Sequence, residues 1–153
     1  MTIIESTNSD VLVRMATSDD IPELLRLYKQ LQPQNEFELN SAEAAFRKAA
    51  TQGVTYFVAE IGGILVATCY IAIIPNITWN CASIGFIENC VVDTDFRRRG
   101  VGRRLINVVI EFAKARGCYK ATLQSGNGRT EAHHFYESCG FNGDSKRAYE
   151  LRF

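Results

Sequence analysis

The stretch Val91-Val92-Asp93-Thr94-Asp95-Phe96-Arg97-Arg98-Arg99-Gly100-Val101-Gly102-Arg103 decides the fold of this chain. An apolar run ends at Val92, a polar and basic turn follows, and two glycines open the next periodic segment. Leu105, Val108, Val109, Phe112 and Ala113 then recur at the spacing of a helix with one buried face. In a strand–glycine turn–helix arrangement, the first-turn N–H groups lack carbonyl partners and point outward at an anion. Glycine lets a ligand approach the backbone closely. Arg97, Arg98, Arg99, Arg103 and Arg104 add charge that suits phosphate oxygens. The stretch therefore predicts a pyrophosphate cradle; a basic surface loop with an incidental Gly-x-Gly has the same composition. No Gly-Lys-Ser/Thr follows, which excludes a P-loop, and Leu105 stands where a dinucleotide-binding fingerprint has its third glycine.

Working outward, residues 83–92 read as a nearly apolar, central strand. Residues 54–60 and 64–74 are β-branched and aromatic runs around Gly62-Gly63, a hairpin signal. Ser18, Asp19, Asp20 and Pro22 mark a helix start, and Ile21, Leu24, Leu25, Tyr28 and Leu31 follow at helical spacing. A second helix is expected from Asn40 or Ser41 to Gly53, with Ala42, Ala45, Phe46 and Ala49 facing inward. Residues 11–15 and 118–123 read as strands, 75–82 as a loop, 131–139 as a short helix, and 148–153 as a final strand. Strands and helices interleave, and antiparallel hairpin strands precede a β-α-β unit, so the fold class is α/β with a mixed sheet.

The 153 residues suit one domain, expected over 11–153 behind a short tail at 1–10. Lys plus Arg and Asp plus Glu both number 17, so no general attraction to nucleic acid or to an anionic membrane is expected. The five cysteines are an odd number without a C-x-x-C pair, which favours reduced thiols over disulfides or zinc. The N-terminus lacks a secretory pattern, and the apolar run 64–74 is too short to span a bilayer. A cytoplasmic protein is the expectation. His133-His134 face apart on their helix, so no metal site is expected. Glu36 and Glu38 hint at a cationic ligand, although exposed acids have the same appearance.

Arg97-x-x-Gly100-x-Gly102 resembles the Q/R-x-x-G-x-G/A signature of the GNAT superfamily of acetyl-CoA-dependent N-acetyltransferases. The resemblance extends through Ile87-Glu88-Asn89-Cys90-Val91-Val92-Asp93, Gly117-Cys118-Tyr119-Lys120 and Ala132-x-x-Phe135-Tyr136-x-x-x-Gly140-Phe141. Within the superfamily these segments look most like glucosamine-6-phosphate N-acetyltransferases. The resemblance implies a GNAT fold: a mostly antiparallel mixed sheet flanked by helices, with acetyl-CoA in the strand–loop–helix cradle. It implies that the backbone from Arg98 through Arg99, Gly100, Val101 and Gly102 to Arg103 binds the pyrophosphate, beside Arg97. The main chain of the Cys90-Val91-Val92 segment would hold the pantetheine arm and the acetyl carbonyl. Tyr136 corresponds to a tyrosine near the thioester sulfur, and Glu88 to a general base. The family often has an asparagine where this chain has Arg129, and Asn127 is the candidate replacement.

These residue types suit the chemistry. An amine near pKa 10 must lose a proton before it attacks a thioester. Glu88 can take that proton directly or through water, a strand N–H can hold the oxyanion, and the Tyr136 hydroxyl can serve the leaving thiolate. Equally, Glu88 can be a solvated strand residue and Phe135-Tyr136 ordinary core. The expected activity is direct transfer to a primary amine of a small molecule by a homodimer. The alternatives are a protein or peptide N-acetyltransferase and a non-catalytic acetyl-CoA-binding regulatory module.

Overall fold

The computed structural model describes residues 10–153. The chain runs β1 (Val11–Met15), a 3-10 turn, α1 (Ile21–Leu31), α2 (Leu39–Thr51), β2 (Val54–Ile61), β3 (Ile64–Ile74), the single turn α3 (Thr78–Cys81), β4 (Ser83–Val92), a second 3-10 turn, α4 (Val101–Ala115), β5 (Cys118–Leu123) and α5 (Thr130–Ser138). The five strands form one sheet in sequence order, antiparallel except for the parallel pair β4–β5. That parallel pair is the one crossed by a helix, α4, because parallel neighbours need a long connection.

The two faces of the sheet bury different partners. The apolar stripe of α4, Val101, Leu105, Ile106, Val109 and Ala113, packs on Phe57, Ala67, Cys69, Ile71 and Ile87. On the other face Leu24 of α1 packs with Val58 and Leu65, with Tyr28, Phe46 and Tyr56 at the margin. No residue of α2 is fully buried, and Ala45 is exposed rather than inward-facing. Its start also lies earlier than the sequence predicts, because the Glu38 carboxylate accepts from Asn40 and Ser41 N–H (3.0 and 2.7 Å) and caps it.

Polar anchors fix α1 against the sheet. Arg14 of β1 forks onto Asp20 (2.7 and 2.8 Å) and also pairs with Glu60. Arg26 joins Glu23, the Leu65 carbonyl and buried Asp93. Asp93 stands at the end of β4, so this bond ties α1 to the start of the 94–100 loop.

The predicted strand at 148–153 does not form: these residues are exposed and outside every strand. β5 is the last strand of the sheet, so one of its edges has no neighbour there. Tyr149, Leu151 and Phe153 alternate as a half-buried strand would, but nothing within the described chain covers them. The expected tail at 1–10 falls almost wholly outside the described residues.

Candidate active site

The site begins where β4 and β5 part. Their pairing runs from Ser83 with Cys118 to Ile87 with Leu123 and stops there. Residues 88–92 of β4 therefore leave the parallel ladder. The antiparallel register with β3 also shifts here, where Asn89 takes a left-handed φ of 53°. A bulge of this kind re-aims neighbouring groups. The result is a gap through the sheet, lined by Leu31, Gln32, Ile87 to Cys90, Leu123, Gln124, Arg129 and Tyr136, with a volume of about 100 Å³.

The two candidate catalytic groups approach this gap from opposite faces. Glu88 lies opposite Tyr70 in register, and Tyr70 lies opposite Tyr56, on the face that carries α1 and α2. Tyr136 comes from α5 and packs against the other core with Cys90 and Phe135. Burial raises the Glu88 carboxyl above its ordinary value, opposed by a hydrogen bond from the Asn89 N–H. Burial first, and neighbouring Cys90 second, push the Tyr136 phenol well above its ordinary value, so it stays protonated at neutral pH. A hydrogen bond to Cys90, then burial, raises the Cys69 thiol beneath them.

The cradle stands at the end of β4. Gly100 is the N-cap of α4 at φ 77°, and no side chain caps the helix. The first helical bond runs from Arg104 N–H to the Gly100 carbonyl (3.0 Å), which leaves the N–H groups of Val101, Gly102 and Arg103 for an external acceptor. A Cβ on Gly100 would meet nothing within 4 Å, so the turn is open to a ligand. Gly102 has a different role: a Cβ there would meet Phe135 at 3.1 Å and Val92 at 3.3 Å. Its bareness lets α4 lie against β4 and α5.

The arginines do not converge on one point. Arg97 Nε donates to the Val92 carbonyl (3.1 Å), Arg98 pairs with Glu131, and Arg99 lies over the Phe96 ring. Arg103 donates to the carbonyl and hydroxyl of Ser138 (2.7 and 2.8 Å) and ties α4 to α5. The candidate anion site is thus mainly a backbone feature, with the side chains of Arg97, Arg98, Arg99 and Arg103 engaged around it. Arg98 itself has φ 60°, a strained conformation that shapes the loop.

Asn127 sits in the exposed turn before α5, whereas Arg129 lines the gap. Arg129 lines the gap and the Tyr70–Tyr56 pair adjoins Glu88 in register, and the sequence singles out neither as a site candidate. Periodicity alone carried no signal for them, since an arginine before a helix and tyrosines in strands are ordinary. His133 Nε2 lies 2.8 Å from the Gly126 carbonyl and pins the turn.

Comparisons agree with this geometry. The model of the acetyltransferase (GNAT) family matches residues 21–141. Glucosamine 6-phosphate N-acetyltransferase 1 of Oryza sativa subsp. japonica is 33% identical over 121 residues, covering 76% of this chain and 72% of that protein. Glucosamine 6-phosphate N-acetyltransferase of Trypanosoma brucei brucei is 29% identical over 141 residues, covering 90% of this chain and 93% of the relative. A solved chain from Agrobacterium tumefaciens str. C58 superposes with a TM-score of 0.87 at 39% identity, over 92% of this chain and 99% of that one. With the split sheet, the uncapped glycine turn and the family match together, this chain belongs to the GNAT family and is an acetyl-CoA-dependent N-acetyltransferase.

Proposed function

We propose that the enzyme transfers acetyl directly from acetyl-CoA to the primary amine of a small molecule, in one ternary complex. The observation that carries this is the gap between β4 and β5, with Glu88 on one face and Tyr136 on the other. The pyrophosphate lies on the N–H groups of Val101, Gly102 and Arg103, and the pantetheine arm follows the freed main chain of Cys90, Val91 and Val92. Glu88 takes the ammonium proton, directly or through water. The amine nitrogen then bonds to the thioester carbon while a main-chain N–H of the freed β4 segment holds the oxyanion; the carbonyl re-forms as the C–S bond breaks with its electron pair passing to sulfur, and the nitrogen releases its second proton to solvent to leave a neutral amide. A phenol held above its ordinary value is a weaker acid than a thiol near 8.5. Tyr136 therefore serves the CoA thiolate by donating a hydrogen bond, and the thiolate is protonated from solvent.

Glucosamine 6-phosphate is the first acceptor to try. Its amine suits Glu88, its phosphate suits Arg129, and the proteins named above act on it. The test is an amine panel with acetyl-CoA, read as thiol release. Glucosamine 6-phosphate, aminoglycosides and an N-terminal peptide separate the small-molecule reading from the protein-acetylating one. CoA binding without thiol release from any amine would point to a regulatory module.

The same reading includes a homodimer in a reducing cytoplasm. An exposed, alternating Tyr149-x-Leu151-x-Phe153 tail and a β5 edge without a neighbour are complementary surfaces on two copies. Light scattering of the whole chain, and of a chain shortened after residue 147, tests it: a monomer in both cases refutes the pairing.

A further inference from the structure

On the α1–α2 face, aromatic rings form a continuous row that ends at Glu88. Phe46 of α2 meets Tyr56 of β2 at 5.2 Å between ring centroids, and Tyr56 meets Tyr70 of β3 at 5.2 Å. Tyr70 is then the direct cross-strand neighbour of Glu88. Residues opposite each other on a sheet face have their Cβ atoms about 5 Å apart. The ring and the carboxylate therefore stand side by side. Tyr70 and Tyr56 are half-buried, not sealed in the core, and the exposed segment 33–38 follows Leu31 and Gln32 at the edge of the gap. Lys29 holds that segment by donating to the Asn35 carbonyl (2.7 Å) and pairing with Glu36 (3.3 Å).

A flat π surface beside an anion has a defined preference. The carboxylate draws an ammonium, and the ring face attracts the same cation and the C–H groups next to it. Tyr70 and Tyr56, tilted at 51° with centroids 5.2 Å apart, offer a rigid angled aromatic wall, which favours a ring-shaped skeleton over a mobile chain. A chain would also lose more rotational freedom on binding.

We propose that Tyr70, backed by Tyr56 and Phe46, is the acceptor platform of this enzyme, a specificity-determining residue that selects primary amines carried on a compact ring and steers them to Glu88. This rests on the transferase reading above, and it adds the acceptor class and the residue that reads it. Tyr70 takes no part in proton transfer here; its ring positions the amine.

The test compares cyclohexylamine with n-hexylamine, equal in carbon count and differing in ring closure, as acceptors with acetyl-CoA. The wild-type enzyme prefers the cyclic amine. Tyr70→Ala raises KM for cyclohexylamine by about tenfold, the equivalent of about 1.4 kcal/mol, and erases the preference. Its kcat and its affinity for acetyl-CoA stay near wild type, and Tyr70→Phe keeps the wild-type KM because the ring remains. An unchanged KM in Tyr70→Ala overturns the platform. So does an equal loss in Tyr70→Phe, which would make the hydroxyl the active part, or a parallel fall in acetyl-CoA affinity, which would make Tyr70 structural. Failure of the underlying reading looks different: no amine releases thiol from the wild-type protein. Calorimetry of cyclohexylammonium on the CoA-loaded chain then reads the platform by itself, and binding that is equal in wild type and Tyr70→Ala overturns it.

Discussion

Replacing Gly100 by valine separates a backbone anion site from a merely basic loop. Gly100 sits at φ 77° and ψ 2°, in the left-handed region, as the N-cap of α4. Placing a residue with a Cβ there costs roughly 1–2 kcal/mol, and a β-branched residue is worse placed still. Two responses are open to the introduced valine. It can rotate out of the left-handed region, which swings the N–H groups at the start of α4 off their common focus. Alternatively it can stay, with its isopropyl group in the open space above the turn, where no protein atom lies within 4 Å of the Cβ position. Either response removes at least one charge-assisted hydrogen bond to the pyrophosphate. Such a bond contributes about 1.5–3 kcal/mol, so CoA affinity falls between about tenfold and about a hundredfold. Calorimetry with CoA reads the loss, and circular dichroism verifies the fold. Acetyl-pantetheine, which lacks the pyrophosphate, is the control: its turnover stays near wild type in Gly100→Val. A folded variant with wild-type CoA affinity, or one that loses CoA and acetyl-pantetheine turnover alike, would refute the backbone cradle.

Three further outcomes follow from the geometry. Because burial raises the Glu88 carboxyl and a base must be ionised to act, kcat/KM for the amine falls as pH drops through a value above the ordinary carboxylate range; Glu88→Gln removes that acidic limb from the pH–rate profile. Tyr136→Phe retains the packed ring and loses only the hydrogen bond we propose to sulfur, so kcat falls on the order of a hundredfold with acetyl-CoA affinity unchanged, as single-turnover kinetics and calorimetry would show. Arg14 holds Asp20 below its ordinary value, so the pair contributes stability above that value and loses it as pH falls through the lower folded one; Asp20→Asn costs on the order of 1–3 kcal/mol in urea unfolding at neutral pH, and the difference narrows in acid.

The strand–glycine turn–helix that we assign to the cofactor was legible as local structure because its determinants are local. A strand end, a left-handed glycine and a helix start lie within a dozen residues or so, and each has its own chemical signal at Val92, Gly100 and Leu105. The α4 stripe and the Gly62-Gly63 hairpin were legible for the same reason: periodicity and turn chemistry are written in consecutive residues. The strand at 148–153 failed because alternation gives a strand only its faces, and residues 148–153 pair with no strand among the described residues, the open edge of β5 included. Glu38 and Glu36 have local partners that the sequence does not show. As free acids they hinted at a cationic ligand, yet one caps α2 and the other pairs with Lys29.

The acceptor side that we propose resisted reading for a physical reason. Its residues are far apart in sequence: Phe46, Tyr56, Tyr70, Glu88 and Arg129 come from five elements or their ends, and no spacing connects them. Only strand register brings Tyr70 beside Glu88, and register depends on hairpin geometry and on the bulge at Asn89. A one-residue slip of β4 would send Glu88 to the α4 face, among Ile71, Leu105 and Val109, where an unpaired carboxylate is costly to bury. The same energetic penalty that fixes the register therefore keeps Glu88, the base we propose, on the face that carries α1 and α2. This makes the bulge a determinant of chemistry as well as of shape. Asn89 is one of the few residue types that tolerate a left-handed φ; it stands two residues past the last β4–β5 pair and interrupts the β3–β4 ladder, which resumes at Val91. In the mechanism we propose, thioester and amine meet inside the sheet because β4 leaves β5 one residue after Ile87, at Glu88 itself.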